Sequence, residues 1–278
     1  MRTSLLLFVP LFFFSVITIP ALTHNPWNIS TSSAFGYLPD SSTGFNDKID
    51  TAFISAVLAY QKFFHLNSTG ILDHTTVGQM VIPRCGVPDF FPHHRNTTTL
   101  HGRDLYSFFD GKPTWPKHKR NLKYYFTSYS TKIRPQTLRK IFARSFSRWE
   151  RVTLLSFQKV HHPSKADIFL RFYSGNHGDN SPFDGRFGVL AHAFAPTIGE
   201  LHFDADEIWA VSMSMLRNTP NSIDLESVTT HELGHILGLG HSTFRSAIMY
   251  PSISSQRRKI NLRQDDIHGI QELYGVKK

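Results

Sequence analysis

The 278-residue sequence predicts an α+β fold: a twisted mixed sheet with three main helices, preceded by a small helical module. Three observations carry this. Apolar residues recur every three and four positions in two long stretches, the pattern of helices burying one face. Short runs with strand character lie among the helices of the longer, later part. A segment rich in Pro and Gly, followed by a polar stretch, separates the two parts near residues 83–102.

The elements follow in chain order. Residues 1–23 carry one cation, Arg2, then an apolar run from Ser4 to about Ile19, then the small residues Ala21 and Thr23. Pro10 and Pro20 interrupt the run, which reads as a cleaved secretory signal rather than a membrane span. No later segment is apolar for long enough to cross a bilayer. Ile49, Ala52, Phe53, Ala56, Val57, Tyr60, Phe63 and Phe64 mark a helix that Ser68-Thr69-Gly70 ends. Asp73 can cap a shorter helix carrying Val77 and Met80. Pro83–Asp89 is too rich in Pro and Gly for helix, and Phe91–Gly102 reads as an exposed linker, so residues 24–104 form one module and 105–278 a second.

In the second module Leu122–Phe126 resembles a strand. Pro135 suits a helix first turn, with Leu138, Ile141, Phe142, Phe146 and Trp149 as the apolar stripe behind it. Strands are expected at Leu154–Val160 and Ala166–Phe172, then a Gly-, Asp- and His-rich region to Asp206. A helix over about Leu225–Leu237, capped by Asp224, and a last helix over Gln264–Tyr274 complete the set.

Composition narrows the setting. With 40% hydrophobic and 18% charged residues the chain is globular. Cys85 is the one cysteine, so no intramolecular disulfide is possible, and bound metal is a candidate for what holds the fold together. Sequons at Asn28, Asn67 and Asn96 fit an extracellular route. Residues 105–278 carry 24 Lys+Arg against 15 Asp+Glu, which equals the whole chain's +9. That surface suits a polyanion such as acidic matrix or wall polysaccharide, or is simply well solvated; no nucleic-acid motif accompanies it.

The chemistry centres on His231-Glu232-Leu-Gly-His235-Ile-Leu-Gly238-Leu-Gly-His241. Positions i and i+4 of a helix lie on one face, so His231 and His235 can hold one ion. Gly238 lets the helix stop and the chain turn back, bringing His241 as a third nitrogen. Three neutral imidazoles leave one tetrahedral position open, the catalytic rather than structural pattern for zinc. Glu232, beside the first ligand, can act as general base and then pass the proton to a leaving amine. A core helix with hydrogen-bonded histidines is the plainer alternative, but five specified residues in eleven argue against it.

These residues resemble the metzincin endopeptidases, and within them the matrixins. Ser242 after the third histidine matches matrixins, whereas astacins carry Glu there. Ser246–Pro251 looks like the family's Met-turn, in which Met249 forms an apolar floor beneath the metal. The resemblance implies a metzincin-type catalytic domain. It also implies a structural zinc on His177, Asp179, His192 and His202, and calcium on Asp184, Gly185, Asp204 and Glu207; three nitrogens plus a carboxylate suit closed zinc, and hard oxygens suit calcium. The segment after Phe194 is shorter than the glycine-rich loop of many animal members, which leaves a further calcium with Asp167 unsupported.

Pro83-Arg84-Cys85-Gly86-Val87-Pro88-Asp89 resembles the matrixin cysteine switch without a mismatch. A thiolate at the fourth zinc position excludes water, so Cys85 would keep a zymogen latent, with Arg84 and Asp89 paired to brace the loop. Residues 24–104 are then a propeptide, resembling a peptidoglycan-binding module. An activating protease would remove it, and the new terminus near Leu105 would pair with Asp265 or Asp266. The whole looks most like the plant matrixins, which lack a haemopexin-like domain. Strand Val189–Phe194 would pair with an extended peptide substrate, and the wall near Tyr250, Pro251 and Ser252–Ile260 would shape the pocket after the scissile bond. The expectation is a secreted, extracellular zinc endopeptidase. A non-catalytic wall- or matrix-binding protein on the same fold is the alternative, which loss of Glu232 or of a ligand histidine would favour; none is lost.

Overall fold

Helix α1 (Thr51–Phe63) forms because its apolar positions share a stripe, and it buries Ala56, Val57, Tyr60 and Phe63. The computed structural model describes residues 35–38, 51–90, 105–130 and 132–277. The signal region 1–23, Asn28, Asn96 and the whole of the linker 91–102 lie outside these residues; Asn67 is exposed in a loop. Helix α2 (His74–Met80) starts where Asp73 accepts from the Thr76 amide at 2.8 Å. Gln61, fully buried between the two helices, donates to Ile71 O at 2.9 Å and accepts from the Gly70 amide at 2.9 Å. Around α1 an aromatic cluster gathers Phe35, Tyr37, Tyr60, Phe63 and Phe64, and Tyr250 from the second module completes it.

The short strand β1 (Arg84–Cys85) is followed by β2 (Asn121–Phe126), helix α3 (Pro135–Val152), β3 (Ser156–Lys159), β4 (Ile168–Tyr173), β5 (Val189–Ala193) and β6 (Glu200–Asp204). The sheet runs in the order β1-β5-β6-β4-β2-β3. Only the β5–β6 pair is antiparallel, and the other neighbours are parallel. This is the mixed sheet expected. Strand β3 is shorter than the sequence suggests. Thr153 Oγ1 donates to Trp149 O at 2.9 Å and accepts from the Leu155 amide at 3.3 Å, so the chain is still turning off α3 there.

Beyond the sheet come β7 (Trp209–Ala210), the six-residue helix α4 (Met213–Asn218), β8 (Ile223–Asp224), α5 (Leu225–Ile236) and α6 (Gln264–Tyr274). Helices α3, α5 and α6 are the three main ones, and the predicted bounds of α6 hold to the residue. Every residue of α5 is buried, capped at its start by Asp224 accepting from the Ser227 amide. One apolar core joins α3, α5 and the sheet, with Trp149, Phe142 and Phe203 its largest fully buried members. Two polar ties reinforce the α3–α5 contact: Trp149 Nε1 donates to Thr230 O at 2.8 Å, and Glu226 on α5 accepts from Arg144 and Arg148 of α3.

Candidate active site and metal centres

Helix α5 carries His231 and His235 one turn apart, and the chain reverses just beyond it. Gly238 makes the reversal, at φ +100° and with its α-carbon so close to Pro113 O that a Cβ would collide with it. His241 then returns toward the helix. The Nε2 atoms of His235 and His231 are 3.1 Å apart, and those of His235 and His241 are 3.2 Å apart.

The hydrogen bonds at the other ring nitrogens fix the tautomers. His231 Nδ1 meets Ile248 O at 2.7 Å and His235 Nδ1 meets Leu239 O at 2.8 Å. A carbonyl only accepts, so each Nδ1 carries the proton and each Nε2 is bare. His241 Nδ1 donates likewise to Asp89 Oδ1 at 2.7 Å. Burial and the neighbouring rings hold His231 and His235 well below the usual histidine range, and burial lowers His241 despite Asp89. Three lone pairs therefore point at one spot with no proton to share among them. That arrangement fits a cation and is costly without one.

The fourth corner belongs to Cys85, whose Sγ is 3.4 Å from His235 Nε2. These four ligand atoms lie within 4.8 Å of one another, and all four residues are buried. Strand β1 brings the thiol there by pairing on both sides. Gly86 N donates to Ala191 O of β5 at 2.8 Å, and Cys85 N donates to Pro251 O at 2.9 Å. Burial pushes the thiol up, while the Val87 amide at 3.3 Å favours the thiolate. Arg84 and Asp89 pair as expected, at 2.7 Å.

Glu232, next to the first imidazole, is fully buried, and neither carboxylate oxygen has a hydrogen-bond partner. Burial pushes its pKa up to about 8, with the Cys85 thiol working the other way. A carboxylate so placed takes up a proton readily, which is what a general base requires. Met249, also fully buried, lies under α5, and its sulfur fills the space where Gly234 would carry a Cβ. Asp266 holds that turn by accepting from the Ile248 and Met249 amides at 2.9 and 3.0 Å.

The second cluster assembles on the β5–β6 pair. His192 and His202 are direct cross-strand partners. Asp179 Oδ2 is 2.7 Å from His192 Nε2, 2.9 Å from His202 Nδ1 and 2.8 Å from His177 Nε2. His177 Nδ1 meets Gly175 O at 2.9 Å, which leaves its Nε2 bare as well. Burial lowers His192 to about 4, so its ring is neutral. Three nitrogens and one oxygen with no open corner fit a closed zinc site.

Asp184, Asp204 and Glu207 come together beyond β6. One oxygen of each accepts a backbone amide, from Val189, Asp206 and Phe187 respectively. Asp204 Oδ2 and Glu207 Oε2 are buried without a partner. Burial, with the neighbouring carboxylates, raises Asp204 to about 6 and Glu207 to about 7. Two unpaired buried carboxylate oxygens fit a hard cation. Gly185 lies in the same loop at φ +84°. The Asp167 carboxylate is engaged by Lys119 at 2.5 Å and by the Lys123 amide at 2.8 Å.

Two sets of contacts escape sequence reasoning. Asp89 bridges to His241 as well as Arg84, and also accepts from Tyr37 OH at 2.8 Å. Glu226 collects Arg144, Arg148 and Arg258. Apart from Arg84, each of these partners is far away in sequence, and no spacing signals it. The Leu105 amide donates to Asp265 Oδ1 at 2.8 Å in the uncut chain, so one of the two carboxylates expected to meet a new terminus there is already beside it.

The family profile described as Matrixin matches residues 114–275, and a peptidoglycan binding domain profile matches residues 33–80. Metalloendoproteinase 1 of Glycine max is 46% identical over 242 residues, covering 87% of this chain and 78% of that protein. Metalloendoproteinase 2-MMP of Arabidopsis thaliana is 43% identical over 259 residues, covering 87% and 68%. Stromelysin-2 of Rattus norvegicus is 37% identical over 238 residues, covering 84% of this chain and 45% of that protein.

Proposed function

The chain belongs to the matrixin family, a zinc metalloendopeptidase with zinc and calcium as cofactors, and from that premise we propose a secreted enzyme made as a cysteine-switch zymogen. In this reading residues 1–23 are the signal, 24–104 the propeptide and 105–278 the catalytic domain; extracellular proteins are the substrates, and a separate protease activates the chain. The observation that carries it is the Cys85 thiol at the one open corner of three inward-facing imidazole nitrogens.

His231, His235 and His241 would hold the catalytic zinc, and His177, Asp179, His192 and His202 a structural one. Asp184, Asp204 and Glu207, with Gly185 in their loop, would hold calcium. Bound in its three-imidazole cage, zinc supplies Lewis acidity, lowering the pKa of water and polarising a carbonyl. The chain's own residues do the rest. The β5 edge, with Ala191 O directed outward to the segment beside it, aligns an extended backbone. Glu232 accepts the proton at its carboxylate and returns it to the leaving amine, and burial favours that uptake. Ile248 O, Leu239 O and Asp89 keep the imidazoles in the ligating tautomer, the last only while the propeptide is in place.

The test compares wild type, Glu232→Ala and Cys85→Ser on a quenched peptide, with and without a chelator. Wild type should gain activity on propeptide removal, Glu232→Ala should stay inactive, and Cys85→Ser should activate itself. Activity that survives Glu232→Ala, or chelation, would end this reading.

A further inference from the structure

Lys259 sits on the segment between Ile253 and α6, and its backbone amide donates to Ser227 Oγ of α5 at 2.8 Å. Its ammonium lies over the Tyr250 ring, 5.3 Å from the centroid. Lys259 lines the small cleft that opens beside Cys85 and Glu232, whose wall combines the apolar Leu190, Val228, Tyr250 and Ile253 with Ser227, His231 and Ser252.

Among the described residues no carboxylate lies within 4.0 Å of this ammonium. Asp266 raises its proton affinity from a distance but commits both oxygens to the amides of Ile248, Met249 and Arg263. Burial lowers Lys259 to about 8, so it remains mostly charged at neutral pH. A largely apolar cleft beside the reacting position therefore has one under-paired cation in its wall. A substrate side chain ending in a carboxylate or amide oxygen gains a charge-assisted hydrogen bond there, in surroundings drier than water. A lysine or arginine side chain meets like charge instead.

We propose that Lys259 is a specificity-determining residue, which extends the cleft from apolar side chains to glutamate and glutamine at the position following the scissile bond, and closes it to lysine and arginine. The proposal rests on the endopeptidase reading above and adds the substrate class of the cleft. It predicts that a protein substrate is cut before an acidic or amide residue where an all-apolar cleft would pass it over.

The experiment uses the activated protein and three peptides identical except for leucine, glutamate or lysine after the scissile bond, with the cut located by fragment mass. The kcat/KM ratio of the glutamate to the leucine peptide is read within each variant, so any general loss of activity cancels. Lys259→Met should lower that ratio roughly tenfold or more, the worth of one hydrogen bond to a charged group. Lys259→Arg should keep it, and Lys259→Glu should favour the lysine peptide over the glutamate one. An equal ratio in wild type and Lys259→Met, or an unchanged order in Lys259→Glu, overturns the proposal. If wild type cleaves the leucine peptide in a chelator-sensitive way while residue 259 leaves the ratios alone, only this inference fails. If wild type cleaves none of the three, the endopeptidase reading fails with it.

Discussion

Replacing Asp89 by asparagine should open the latent form of the proposed zymogen without touching the thiol. Asp89 has no side-chain exposure and accepts from Arg84 Nη2 at 2.7 Å, His241 Nδ1 at 2.7 Å and Tyr37 OH at 2.8 Å. Arg84 is itself buried, stacked 3.7 Å over the Phe35 ring. Asparagine keeps the shape but removes the charge that compensates the guanidinium. Breaking a buried pair this way costs about 3–5 kcal/mol, because one charge is left unanswered. If Arg84 reaches water once the site opens, the closed arrangement alone bears that cost. At about 1.4 kcal/mol per tenfold, the open population should rise roughly a hundredfold or more. The assay is the rate at which a thiol reagent labels Cys85 with zinc present, in a Glu232→Ala background that prevents self-cleavage. Adding Arg84→Met to Asp89→Asn should slow labelling again, because both halves of the pair are then gone. A labelling rate in Asp89→Asn within a few-fold of its parent would refute the claim that this ion pair clamps the propeptide.

Three further predictions test the scaffold. Glu226→Gln leaves Arg148, 12% exposed, without its carboxylate, and should cost about 3 kcal/mol in a thermal or denaturant melt, the low end for a buried pair because Arg144 is half exposed. The arginines hold Glu226 below its ordinary pKa against the opposing effect of burial, so wild type carries this stability above the usual glutamate pKa and loses it as pH falls through the lowered folded value; the glutamine variant should lack that acid dependence. Asp204 and Glu207, raised to about 6 and 7, favour the protonated form in the fold, so without calcium Tm should fall as pH rises from the ordinary carboxylate range through those values. Calcium should restore Tm in wild type and do so far less in Asp204→Asn, and an equal calcium response in both would remove Asp204 from the site. Met249→Ala empties a fully buried space beneath α5 and should destabilise by about 2–4 kcal/mol, whereas a change under 1 kcal/mol in the same melt would show that α5 does not rest on it.

The α-helices were the most legible part of the sequence. Asp224 and the run Leu138 to Trp149 announce themselves by local chemistry, a cap and a stripe, and both are found as read. The three-imidazole cage was legible for the same reason: the i, i+4 spacing and Gly238 specify a geometry that the backbone then imposes. The second cluster was harder to read from the residues, since His192 and His202 become partners only through the β5–β6 register. Asp89 shows where reading stops. Its proximity to Arg84 in sequence suggests one partner, but the buried carboxylate has oxygens for three, and His241 and Tyr37 arrive from 152 and 52 residues away. Lys259 is similar: within Arg257-Arg258-Lys259 it looks like one more surface cation, and only the fold turns it toward the Tyr250 ring.

In the proposed zymogen the propeptide holds the site through three unlike connections: a thiol at the corner of the cage, a carboxylate on His241, and β1 laid between β5 and Ser252. A cut in residues 91–104 breaks none of them at first. What it changes is concentration. While joined, the propeptide is an intramolecular ligand at an effective concentration on the order of millimolar. Once severed, at micromolar protein, it is about a thousandfold more dilute, which is about 4 kcal/mol of lost occupancy. That is the same size as the cost assigned to Asp89→Asn. Cut and charge change thus weaken the closed state by similar amounts, and each alone should raise the open population roughly a hundredfold or more.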